Sequence, residues 1–170
     1  MLPCFSAYLS QDVAGDSHYP IRWDAEFFDI GDYFDIATGL WTPPAGLILL
    51  QASVTVSTDA AVDKSLQIFF SASDMTLPSI NATPVMHYAD GVNAVTAQAS
   101  YLGMANGTDH FGAVVAFSAL EGGSNAFTFV CTPLSGTYFR GVVLSETSPT
   151  LSQDEQKSRD LHQQKLGLKA

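Results

Sequence analysis

Apolar and polar residues alternate with a period of two along most of the first 145 positions. Phe5, Ala7 and Leu9 alternate with Ser6, Tyr8 and Ser10. Leu50, Ala52, Val54 and Val56 alternate with Gln51, Ser53, Thr55 and Ser57, and Val95, Ala97, Ala99 and Tyr101 with Thr96, Gln98 and Ser100. An extended strand sends successive side chains to opposite faces, so these runs predict half-buried β-strands. Residues 66–70, 113–117, 126–132 and 138–144 read as further strands. Clusters of Gly, Pro, Asn and Asp punctuate them, among them Thr42-Pro43-Pro44-Ala45-Gly46, Asp90-Gly91, Asn106-Gly107 and Glu121-Gly122-Gly123. Short strands punctuated in this way predict an all-β sandwich of two sheets.

Two stretches depart from that pattern. Residues 113–117 are apolar on both faces, because Val114 and Ala116 sit between Ala113, Val115 and Phe117. The outer face of an antiparallel sheet normally meets water. A strand apolar on both sides therefore predicts a covered outer face, most simply by another subunit. Residues 150–166 lack Gly and Pro and are rich in helix formers. Ser152 with Glu155 makes a capping-box pattern, and Gly167 is placed to stop a helix. The expected organisation is a β domain over 1–145, then a linker and polar helical tail over 146–170. Leu151, Leu161, Leu166 and Leu168 are the apolar positions with which that tail would dock on a partner.

Composition narrows the function classes. Of the 170 residues, 46% are hydrophobic and 14% charged, the reverse of a disordered chain. The net charge is −10. Residues 1–145 hold 13 acids and only Arg22, Lys64 and Arg140 as bases, whereas acids and bases balance in the tail. A nucleic-acid footprint needs a basic stripe, so no nucleic-acid partner is expected. No stretch has the length of a transmembrane helix, and the opening Met-Leu-Pro-Cys-Phe-Ser lacks the basic and apolar regions of a signal peptide, so neither membrane insertion nor secretion is expected. Two cysteines, Cys4 and Cys131, exclude a disulfide-rich scaffold and a four-cysteine zinc site.

The most specific segment runs from Trp23 to Leu50. Trp23 and Asp29 have five residues between them, Asp29 and Phe34 four, and Phe34 and Trp41 six. Gly46, Ile48 and Leu50 follow. This spacing resembles the signature of the C1q-like domain of the C1q/TNF jelly-roll superfamily. Phe139-Arg140-Gly141-Val142-Val143-Leu144 is similar to that family's closing strand. Two of the aromatics here are Trp, and Ile48, Leu50 and Ala52 stand where aromatics are usual. The resemblance implies a two-sheet jelly roll that assembles as a homotrimer and serves as a recognition head for a protein or glycan. Some members bind Ca²⁺. Animal members follow a signal peptide and a collagen stalk, whereas compact members also occur on bacteriophage particles. The resemblance thus implies a fibre, spike or decoration head, made in the host cytoplasm, displayed on the virion surface and contacting a host protein or glycan, with residues 147–170 held by a neighbouring virion protein.

Candidate chemistry falls on a few sets of residues. Tyr8, Val114, Ala116, Tyr138, Arg140 and Val142 lie opposite the expected core positions Leu9, Val115, Phe139 and Val143, and are the candidate trimer contact. Asp24, Glu26, Asp32 and Asp35 form an acidic loop whose carboxylates are the candidate Ca²⁺ ligands, with no cofactor required. The alternative function is a soluble, Ca²⁺-dependent, lectin-like carbohydrate-binding module. The histidines His18, His87, His110 and His162 make no metal-binding spacing, and no nucleophile elbow or phosphate loop is present, so the chain reads as no enzyme.

Overall fold

The computed structural model describes residues 1–58, 64–72, 86–88, 94–119, 125–131 and 137–146. Within them are thirteen β-strands and no helix. The strands are β1 (Cys4–Tyr8), β2 (Val13–Asp16), β3 (His18–Pro20), β4 (Ala25–Ile30), β5 (Phe34–Asp35), β6 (Leu40–Trp41) and β7 (Gly46–Ser57). They continue with β8 (Lys64–Ala72), β9 (Met86–Tyr88), β10 (Ala94–Ala105), β11 (Phe111–Ala119), β12 (Ala126–Phe129) and β13 (Tyr138–Glu146). The expected helical tail, with its leucines at 151, 161, 166 and 168, lies outside the described residues.

Every described pairing is antiparallel, and the strands form two sheets. The first runs β10-β7-β13-β1-β4, with β12 and β2 continuing it beside the far end of β7. Thr137 closes the seam between β12 and β13. Its hydroxyl accepts from Thr55 N at 3.1 Å and donates to Val130 O at 3.0 Å. The second sheet runs β5-β6-β11-β8-β9, with β3 also on β11.

The alternating apolar residues meet between the sheets. Phe5, Ala7, Ile48, Leu50, Val54 and Phe139 from the first face Leu66, Ile68, Phe70, Ala113, Val115 and Phe117 from the second, all buried. Burying each large side chain of this kind stabilises by about 1.5–3 kcal/mol. The motif aromatics fill the centre. Phe5 stacks on Phe34 at 4.7 Å and meets Trp41 at 5.1 Å and Phe139 edge-on at 4.9 Å. Trp23 stacks on Phe139 at 5.9 Å. Gly141 is what admits them: a Cβ there would run into the Phe5 and Trp41 rings. Gly46 likewise lets the backbone of β13 approach at Ser145.

One expectation needs correction. Residues 25–30, expected in an acidic loop, form β4 and pair with β1. A shift of register at Ser6/Ala7 makes Phe27 an extra residue in that pairing, which breaks the period-two pattern that sequence reading relies on. β10 runs on past Tyr101 as far as Ala105.

Candidate functional site: the uncovered face of the first sheet

The outer face of the first sheet is ordered in rows, because residues opposite one another in register share a face. One row is Ile30, Cys4, Val142, Leu49 and Leu102, apolar across all five strands. The next is Phe28, Ser6, Arg140, Gln51 and Ser100. The third carries Tyr8 and Tyr138 side by side, with Ser53 and Gln98. Beyond the apolar row, Leu47 pairs with Met104, and a bulge between Val143 and Ser145 leaves Leu144 exposed. Leu102 is 61% exposed and Phe27 is 65% exposed, stacked on Tyr8 at 4.3 Å. Exposed apolar side chains that adjoin one another mark a contact surface; scattered ones do not.

Four of the six candidate contact residues, Tyr8, Tyr138, Arg140 and Val142, lie on this face. The other two do not. Val114 and Ala116 are on β11, on the outer face of the second sheet. The two sets are on opposite sides of the sandwich and cannot share one patch. Val114 is 4% exposed and sits between Phe69 and Pro20 in register. Strand alternation identifies outward positions but not which sheet they belong to. Reading along the chain missed Leu49, Leu102, Ile30 and the Phe27-Phe28 pair; only the strand register brings them together.

The acidic candidates are not brought together. Among the described residues no group of three or more His, Cys, Asp or Glu is placed to hold a metal ion. Asp24 accepts from Ser10 N at 2.6 Å and Ser10 Oγ at 2.8 Å. Asp35 caps its own turn, accepting from Ala37 N at 2.9 Å and Thr38 Oγ1 at 2.9 Å. The Thr38 hydroxyl first, then the Ala37 amide, hold its carboxyl below the usual range. Asp32 sits in the left-handed region at φ 60, and Glu26 is exposed on β4. Asp29, the acid of the motif, accepts from Phe34 N at 2.8 Å and fixes the turn that delivers Phe34 to the core. Asp32 and Asp35 line an open cleft with Tyr33, Phe34, Thr42 and Gly107.

Both cysteines are free thiols. Burial, and then the charges of Asp12 and Asp24, push Cys131 up to about 11. It is therefore protonated at neutral pH and unsuited to act as a nucleophile. His110 Nδ1 meets Thr42 Oγ1 at 2.6 Å on an exposed loop. No carboxylate is paired with it by a described hydrogen bond.

Two facing antiparallel sheets, with the first strand beside the last, make this a jelly roll of the C1q/TNF type. No family model matches the chain, and no curated protein matches it. Solved structures do. The globular domain of zebrafish complement 1qA protein is similar over 86% of this chain and 100% of its own, with a TM-score of 0.53 and 13% identity. The Eiger TNF of S. frugiperda is similar over 90% of this chain and 98% of its own, at 0.56 and 10%. Murine APRIL, from a crystal at pH 5.0, is similar over 85% and 100%, at 0.56 and 10%. At these identities the likeness is one of fold.

Proposed function

We propose that this chain is a non-enzymatic recognition module that works as a homotrimer of jelly rolls, closed through the outer face of the first sheet. The apolar row of Ile30, Cys4, Val142, Leu49 and Leu102 carries this reading. Ile30, Cys4, Val142 and Leu49 are half-buried and Leu102 is exposed, and the part of the stripe left in water is unfavourable by about 25 cal/mol for each Å² of apolar surface. A copy of the chain is the simplest cover, and a head-to-tail interface whose rotation closes builds a ring. The C1q and TNF folds of the similar structures support it.

The setting we propose is the surface of a virus-like particle of the bacteriophage kind. There the module is a fibre, spike or decoration head that meets a host protein or glycan, and residues 147–170 dock it on a neighbouring particle protein. The sparsely charged acidic body and the resemblance of residues 23–50 support this reading. The lectin-like alternative, which depends on Ca²⁺, finds no converging acids among the described residues.

Light scattering after size exclusion tests the assembly. A mass of three times 18.2 kDa is expected, unchanged by EDTA, and Leu102→Glu is expected to lower it toward one subunit. Wild-type protein at a single-subunit mass at micromolar concentration overturns the trimer.

A further inference from the structure

Arg140 stands at the centre of the outer face of the first sheet, which no described strand covers, on the middle strand of the five. Its Nε donates to Ser6 Oγ at 3.3 Å, and its guanidinium carbon lies 4.1 Å from the centre of the Tyr138 ring. Ser6 is 2% exposed, so the hydroxyl that holds the guanidinium is itself fixed by packing. These two contacts set the plane of the fork. Among the described residues no carboxylate pairs with it. The ionisable groups that face it are Cys4 and Tyr8 on β1 and Tyr138 on its own strand. β7 offers Leu49, Gln51 and Ser53, and β4 offers Phe28 and Ile30. Arg140 is the one charged side chain in the three rows.

The position of that charge constrains any cover. The apolar row lies one alternation away on one side and the tyrosine row one alternation away on the other, each about 7 Å along the strands. A surface that covers both rows covers Arg140 and strips water from it. A guanidinium buried without an anion costs more than the neighbouring apolar contacts return. A carboxylate answers the fork with two parallel hydrogen bonds.

We propose that a carboxylate of a second copy of the chain closes on Arg140 when the face is covered, and that this pair sets the register of one copy on the next. The inference rests on the trimeric reading. Charge complementarity favours a second copy as its source: each copy offers 17 Asp and Glu side chains against 7 Lys and Arg. A single buried polar contact that fixes register is the best-supported use of such pairs.

The test is the trimer's dissociation on dilution, followed by light scattering for wild type, Arg140→Met and Arg140→Lys. Met keeps much of the aliphatic stem and removes the charge. With a carboxylate opposite, Met orphans that carboxylate and weakens the trimer by about a hundredfold or more, and Lys restores part of the loss. With an uncharged surface opposite, Met removes a lone buried cation, so the trimer holds equally well or tightens. That result overturns the pairing and leaves the trimer standing. A wild-type chain that never trimerises overturns both. Arg140 is exposed in the single subunit, and unchanged far-UV circular dichroism confirms that each variant folds.

Discussion

Single residues decide how the centre of the sandwich is filled. Trp23 and Trp41 are wholly buried, and among the described residues neither indole N–H has an acceptor. Each therefore supplies bulk and no hydrogen bond. Trp41→Ala opens a cavity among Phe5, Phe111 and Gly141 and is expected to cost about 3–5 kcal/mol. Trp41→Phe keeps most of the ring and discards the unpaired donor, so it is expected to cost much less; chemical denaturation of the two variants checks the ranking. Cys131 gives a residue-scale prediction in pH. Its thiol is neutral when protonated, and folding raises its pKa from 9.0 to about 11. The stability it contributes is fully present below pH 9 and is lost as pH rises through 11. Denaturation midpoints of wild type and Cys131→Ala are expected to converge across that window, and alkylation of the folded protein at about pH 8 is expected to be slow beside that of a free thiol.

At the scale of elements, part of the fold was legible and part was not. Positions 5–9, 50–57 and 95–101 alternate cleanly, because there one face lies in the core and the other outside. The motif aromatics were legible as a spacing, and the structure shows what they share: Trp23, Phe34 and Trp41 converge on Phe5 and Phe139. β4 was hidden because it is an edge strand with a bulge, and its two exposed phenylalanines erase the period. Strand pairing is non-local, so nothing in the order of residues says that Val142 lies between Cys4 and Leu49. For that reason four of the six contact candidates share a face with residues that were not foreseen, and two lie on the opposite sheet. The acids misled for a related reason. They are close along the chain, but a strand and two turns direct them to different places, where Asp24, Asp29 and Asp35 each secure a local hydrogen bond.

At the scale of the whole molecule, the last described residue of β13, Glu146, pairs with Gly46 at the same end of the sheet as Met104 and Leu144. Among the described residues the core between the sheets is built from positions 5 to 143. On the proposed reading, a chain ending at Glu146 is expected to melt within a few degrees of the full chain and to assemble as the full chain does, while losing the proposed docking on a particle. Light scattering and a particle co-sedimentation assay read the two effects separately. A truncated chain that falls to one subunit moves the tail from docking into assembly.

The pairing of β1 with β13 joins segments 134 residues apart, as the Ser6–Arg140 contact measures. During synthesis Phe5 and Ala7 leave the ribosome long before Phe139 exists to cover them. At roughly 5–20 residues per second the gap lasts on the order of ten seconds. For that time the opening strand has no partner on one side, and Cys4 and the apolar side chains beside it are open to other nascent chains. The jelly roll therefore closes only after its final strand is made, and its yield in a cell depends on how crowded the neighbouring chains are and on what shields them meanwhile.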